Sequence, residues 1–177
     1  METAARRKYT WFGVVFALAL AADQLTKVWA RRSLKDTVGV DVIKGWFELH
    51  YSENPYAAFG LGRIFGTENA RWVLLAVGIV ACFVLFRLVR KAKPEQTRVL
   101  VEIGLVAGGA IGNLFDRIVR ARVTDFVVWR YKEYQWPTFN LADAFLVVGV
   151  VALLFDMKGE KEAAPVEKPA RPSRRKR

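Results

Sequence analysis

Val99-Leu100-Val101-Glu102-Ile103-Gly104-Leu105-Val106-Ala107-Gly108-Gly109-Ala110-Ile111-Gly112-Asn113-Leu114-Phe115-Asp116-Arg117-Ile118-Val119 is the stretch on which the reading of this chain turns. It is long and apolar enough for a helix to cross a bilayer, which takes about 20 residues. Its glycines, Gly104, Gly108, Gly109 and Gly112, are the small residues that let membrane helices approach closely. An ionisable Asp116 near its end is costly at membrane depth, so it is expected to face the protein interior and to have a task.

Three further runs have the same character, at about 9–29, 71–90 and 139–157. A soluble fold of 177 residues rarely carries four, so the expected fold is an all-α membrane protein with four transmembrane helices. The net charge of +11 could suggest nucleic acid, but its distribution argues for lipid. Arg6, Arg7 and Lys8 precede the first run, Arg87, Arg90, Lys91, Lys93 and Arg98 surround the gap between the second and third, and residues 158–177 hold eight more cations. Segment 30–70 instead balances five cations with five anions. This is the positive-inside pattern. It places both termini in the cytoplasm and segments 30–70 and 120–138 outside. The small-residue stretch Ala19-Leu20-Ala21-Ala22 resembles a signal-peptide cleavage site, but the helical pattern continues to about Trp29, so a retained helix is expected.

Residues 1–157 form one four-helix domain in this reading, and 158–177, rich in Lys, Glu, Pro and Arg, form an unfolded basic cytoplasmic tail drawn to anionic membrane lipids. Outside the membrane, 40–51 and 122–128 have strand-like composition and are expected to pair in a small extracytoplasmic β-sheet. Residues 56–66 are expected to lie in the interface. Trp46, Phe47, Tyr51, Trp129, Tyr131, Tyr134 and Trp136 suit a belt at headgroup level. Cys82 is expected to be buried and inert, and a lone His50 cannot build a multi-histidine metal site. Glu102 and Asp156 are expected to reach water at cytoplasmic helix ends.

Asp23, Asp116 and Asp143 all fall within roughly 10 Å of the outer surface when counted along their helices at about 1.5 Å per residue. Asn113 and Asp116, like Asn140 and Asp143, are three apart and share a helical face. Gly109 and Gly112 should bring a neighbour close to that face. Plainer readings exist: Asn140 as an N-cap with Asp143 a first-turn acid, Asp23 and Lys27 as a mutually neutralising i,i+4 pair, and Asp116-Arg117 as an interfacial ion pair. Together they require three coincidences at one depth. Two close carboxylates suit an aspartic protease, in which one takes a proton from water and the other hydrogen-bonds the substrate carbonyl. Helix position alone would make Asp116, in a last turn, the neutral member.

Five segments in order also resemble the lipoprotein signal peptidases (signal peptidase II): Asp23-Gln24-Leu25-Thr26-Lys27, Asn54-Pro55-Tyr56-Ala57-Ala58-Phe59-Gly60, Gly108 through Arg117, Val123-Thr124-Asp125-Phe126, and Phe139-Asn140-Leu141-Ala142-Asp143. The resemblance implies a cofactor-free, metal-free aspartic endopeptidase of the bacterial cytoplasmic (inner) membrane. Asp116 and Asp143 would be its catalytic pair, with Asp23, Lys27, Asn54, Asn113, Arg117, Asp125 and Asn140 supporting the site or holding substrate. Its partners would be lipid-modified prolipoproteins, cut before the lipid-modified cysteine, and not nucleic acid. It also implies the outer sheet and a short interfacial helix over 56–66. Tyr56 stands where the family usually has glycine. One chain holds every such residue, so a monomer is expected to suffice. A proton-coupled carrier, a Mg²⁺ or Ca²⁺ site on the same oxygens, and an assembly factor using the acids as helix glue remain as alternatives.

Overall fold

The computed structural model describes residues 2–55 and 66–163. The chain forms α1 (Glu2–Ser33), β1 (Val40–Ile43), β2 (Phe47–Asn54), α2 (Thr67–Lys91), α3 (Thr97–Arg120), β3 (Val123–Tyr131), β4 (Tyr134–Gln135) and α4 (Leu141–Ala163). Among the described residues, three helices are long and apolar enough to cross a membrane: Arg6–Ser33, Trp72–Lys91 and Thr97–Arg120. The fourth expected span is a helix of 23 residues, but its uninterrupted apolar run, 144–155, is bracketed by Asp143 and Asp156. Helical structure also runs past Met157 to Ala163, where the sequence reading began the unfolded tail. Good helix formers there (Met157, Lys158, Glu160, Lys161, Glu162, Ala163) carry the last turns on. The expected interfacial helix and Tyr56 fall at 56–65, outside the described residues, as does the end of the tail.

The glycine stripe decides the packing. α3 touches the other three helices and is the centre of the bundle. A Cβ at Gly104 would lie 3.1 Å from Phe12 O, and one at Gly108 2.6 Å from Ala19 Cβ, so both glycines face α1. Gly109 faces α4 instead, where a Cβ would lie 2.5 Å from Ala142 O. Backbones thus approach closely on two sides of one helix, as small residues allow in membranes. Leu85, Val89, Ile103, Val106 and Ala107 form the buried core between α2 and α3. At the end holding the start of α1 and the end of α2, Lys8 Nζ donates to the carbonyls of Arg90 (2.9 Å) and Ala92 (2.6 Å). There a cation meets carbonyls at a helix C-terminus.

At the other end, α3 stops at Ala121, whose left-handed backbone (φ 61°) hydrogen-bonds back to Arg117 O. The chain turns into β3 and passes back over the end of α3. The sheet is antiparallel in the order β1-β2-β3-β4, so segments 40–51 and 122–128 pair as expected. Between Leu49 and Ser52 the β2–β3 register slips, three steps on β2 matching two on β3. The bulge re-aims β2, setting Ser52 opposite Asp125 and Asn54 opposite Val123. Ala30, Leu34 and Phe126 form the small core that fixes the sheet to the end of α1.

Candidate active site

Where α1, α3 and α4 meet beneath the sheet, Asp23, Lys27, Asp116 and Asn140 are fully buried, and Asn113 and Asp125 nearly so. Lys27 Nζ is the hub. It lies 2.9 Å from Asp23 Oδ2, 3.2 Å from Asp116 Oδ2 and 2.9 Å from Asn113 Oδ1. The i,i+4 pair read from sequence is present, but it is one edge of a network over three elements. Removing such charges from water costs several kcal/mol per ion, which close pairing and hydrogen bonds offset here.

α4 begins with its amide donors satisfied by the same side chains. Asn140 precedes the helix, and its carbonyl accepts the first helical bond from Ala144. Its Oδ1 accepts from Asp143 N–H at 3.1 Å, while Asp143 Oδ2 accepts from Asn140 N–H at 3.2 Å. This is a reciprocal capping box. Asp23 Oδ1, from α1, takes the intervening Ala142 N–H at 3.0 Å. The plain reading of Asn140 as a cap and Asp143 as a first-turn acid is therefore correct in geometry. It does not exclude chemistry, because Asn113 Nδ2 also donates to Asp143 Oδ1 at 2.8 Å. Asn113 thus joins the two aspartates, with its amide nitrogen on Asp143 and its oxygen on the Lys27 ammonium that touches Asp116. Gly112 makes room for this, because a Cβ there would collide with the Asp23 carboxylate.

β3 adds the roof. Thr124 N–H points at Asp116 Oδ2 (3.4 Å). Asn140 Nδ2 donates to Asp125 Oδ1 (2.7 Å) and Asn113 Oδ1 (3.2 Å), and Asn54 Nδ2 to Asp125 Oδ2 (3.2 Å). Burial, reinforced by the Asp143 charge, pushes the Asp125 carboxyl up to about 6 despite its amide donors. Arg117 Nη1 donates to Asn113 O at 3.1 Å, and the guanidinium lies in the fields of Asp143, Asp125 and Asp116. All nine residues singled out from sequence thus lie in one connected region. At its rim Glu53 accepts from Tyr51 Oη and Arg122 Nη1, each at 2.6 Å. The Tyr51 bond, then the Arg122 bond, lowers the Glu53 carboxyl, while burial first and Glu53 second raise the Tyr51 phenol to about 12. Tyr51 also packs on the Ala30–Leu34–Phe126 cluster.

Sequence reasoning missed Arg31, Arg120 and Thr124. Arg31 Nη1 lies 3.9 Å from Asp116 Oδ1 and donates to Thr124 Oγ1 at 2.9 Å, and Arg120 Nε lies 4.0 Å from Asp116 Oδ1. A signal existed: Asp23, Lys27 and Arg31 recur every four residues, as do Asp116 and Arg120. Asp116 Oδ1 has no hydrogen-bond partner among the described residues. At the opposite end, Glu102 does not reach water as expected. Gly149 packs against Glu102 O, and the Glu102 side chain is buried, its Oε2 without a hydrogen-bond partner among the described residues.

An apolar bundle enclosing paired acids, amides and an ammonium at one end defines an integral-membrane protein with a buried carboxylate centre. Comparison with known proteins narrows this class. Residues 15–158 match the signal peptidase (SPase) II family. The chain is 37% identical over 142 residues to a lipoprotein signal peptidase of Symbiobacterium thermophilum, covering 80% of this chain and 90% of the relative. It is 36% identical over 149 residues to one of Geobacter metallireducens, covering 84% and 91%. A solved bacterial membrane enzyme at 2.3 Å resolution superposes with a TM-score of 0.75 at 22% identity, over 90% of this chain and 94% of that one. A second, at 1.9 Å, gives 0.71 at 24% identity, over 82% and 91%. These two establish likeness of fold. The chain belongs to the signal peptidase II family.

Proposed function

We propose that the protein is an aspartic endopeptidase that removes the signal peptide from diacylglyceryl-modified prolipoproteins, cutting before the lipid-modified cysteine, with Asp116 and Asp143 as the catalytic pair. The observation that carries the reading is the Asn113–Lys27 bridge, which ties the two carboxylates together at the sheet-covered end of the bundle. One carboxylate, ionised, takes a proton from water as it attacks the scissile carbonyl. The other, protonated, hydrogen-bonds the carbonyl oxygen and then protonates the departing nitrogen. Asn113 Nδ2 and the Asn140 N–H hold the Asp143 carboxylate, while Lys27, Arg31 and Thr124 hold Asp116. Asp116 Oδ1, buried and without a protein donor among the described residues, is the acceptor available to the water.

In the same proposal α4 is the fourth span, its Asp143 end level with the sheet and its charged end among the cytoplasmic cations. The sheet then faces outward, both termini face the cytoplasm, residues 158–177 extend from domain 1–157, and a monomer working among membrane lipids suffices. A divalent cation on the same oxygens is disfavoured by Lys27, whose ammonium occupies the space between Asp23 and Asp116. A carrier would need polar groups along its path, and α2 has no charged residue between Arg71 and Arg87. The test is incubation of the purified protein with a diacylglyceryl-modified prolipoprotein and mass analysis of both products. A product beginning at the lipidated cysteine supports the reading. Intact substrate, or a cut elsewhere, overturns it.

A further inference from the structure

At the end of the sheet away from Asp125, the β1–β2 turn and the β3–β4 hairpin frame an open cavity of about 440 Å³, walled chiefly by Trp46, Phe47, Trp129, Tyr131, Tyr134 and Trp136. No residue of the candidate active site lines it. Its rings are conspicuously wet for their size: Tyr134 is 81% exposed, Trp136 66% and Trp46 57%. Val40 and Val42 on the neighbouring edge strand are about half exposed. An apolar patch on a sheet edge is an aggregation hazard in water and marks a surface that something covers. Arg130, the cation in the wall, is already paired with Glu48 at 2.9 Å, so the cavity is not built for an anion.

Its height along the bundle points to the occupant. The Trp129 ring meets the Phe139 ring edge-on at 5.5 Å. Phe139, held to Val127 by reciprocal backbone bonds, immediately precedes Asn140, the cap of α4. On the other side Trp29, near the end of the membrane-length α1, meets Phe126 edge-on at 6.3 Å. The sheet is therefore fixed at the level where α1 ends and α4 begins. Leu25 and Trp29, on the last turns of α1, are themselves exposed apolar side chains near that level. Rings with a polar edge favour this boundary layer. At the hairpin tip Lys132 holds a left-handed backbone (φ 54°), with its ammonium 5.4 Å from the Tyr131 ring centre. A lysine on such a tip can bury its stem and keep its charge among headgroups.

We propose that this end of the sheet is a lipid-docking surface, lying in the outer headgroup layer, whose aromatic cavity takes the glycerol-side part of an acyl chain from a phospholipid of the surrounding bilayer. The inference rests on the membrane placement proposed above and not on the peptidase reading.

Tryptophan fluorescence in lipid nanodiscs tests it. The variant W11F/W29F/W72F leaves Trp46, Trp129 and Trp136 as reporters, and W46F/W129F/W136F leaves the helix tryptophans. In phosphatidylcholine brominated on the acyl carbons near the glycerol, the sheet reporters should lose fluorescence relative to unbrominated lipid and resist quenching by aqueous acrylamide. Quenching by acrylamide without quenching by bromine would overturn the proposal while leaving the bundle's insertion intact, provided the helix reporters are quenched by bromine. If neither set is quenched by bromine, the membrane placement falls and the proposal with it. Adding a diacylglyceryl-modified prolipoprotein should leave the bromine quenching of the sheet reporters unchanged. If the substrate abolishes it, the cavity belongs to the substrate's lipid and the assignment to a bilayer lipid is wrong.

Discussion

Replacing Gly109 with alanine adds one methyl group where α3 and α4 touch, and the structure gives the size of the consequence. The new Cβ would stand 2.5 Å from Ala142 O, 3.3 Å from Ala142 C and 3.1 Å from Leu146 Cγ. The nearest obstacle is backbone, so a side-chain rotation cannot clear it. Restoring a contact of about 3.5 Å requires the helices to part by about 1 Å. Asn140 and Asp143 sit at that end of α4, and the Asn113–Asp143 bond is 2.8 Å long, so the displacement loosens the link between the two aspartates directly. Overpacking costs about 1–3 kcal/mol, offset in part by alanine's helix preference of about 0.5–1 kcal/mol over glycine. A misplacement of about 1 Å at a catalytic group costs about a hundredfold in rate. Cleavage of a lipid-modified prolipoprotein in detergent should therefore fall about 10–100-fold, with a smaller loss of melting temperature. Gly13→Ala is the control, since nothing lies within 4 Å of its added Cβ. Gly109→Ala cleaving and melting like wild type would refute the account of how α3 and α4 set the site.

Other perturbations probe separate parts of the structure. Lys27→Met leaves Asp23 and Asp116 without the ammonium between them and should destabilise by about 3–5 kcal/mol. Adding Asp23→Asn should recover part of that loss in thermal unfolding, and strict additivity would show the buried ion network to be misread. The Asp125 carboxyl, raised to about 6, binds its proton more tightly folded than unfolded. Its contribution is thus fully present below about pH 4 and is lost as pH rises through 6, by about 3 kcal/mol. Asp125→Asn should flatten that part of the stability–pH curve, and an unchanged slope would mean another group is responsible. Ala121→Gly relieves a left-handed alanine at the end of α3 and should raise stability by up to about 1 kcal/mol. A lower melting temperature would contradict the cap.

How much of this could be read beforehand depends on the range of each interaction. The Asp23–Lys27 pair and the Asn113/Asp116 and Asn140/Asp143 faces follow from helical spacing, and the strands at 40–51 and 122–128 from composition. The Lys27–Asn113–Asp143 bridge could not be read, because it joins α1, α3 and α4 and depends on which glycine faces which neighbour. Gly104 and Gly108 meet α1 while adjacent Gly109 meets α4, a distinction a count of small residues does not make. The β2 bulge that turns Asn54 toward Asp125 left no pattern in the sequence either. Arg31 is legible, since it continues the Asp23–Lys27 spacing along one stripe of α1. The burial of Glu102 is not, because a helix end suggests water and only the packing shows that Gly149 lets α4 close over it.

The central claim is that Asp116 and Asp143 act as one catalytic pair. The most direct measurement is the cleavage rate of a purified diacylglyceryl-modified prolipoprotein by wild type, Asp116→Asn and Asp143→Asn, with and without EDTA, each variant first checked for an unaltered melting transition. The account predicts cutting by wild type that survives EDTA and is lost in both folded variants. Undiminished cutting by either variant, or loss of wild-type activity on chelation, would contradict it.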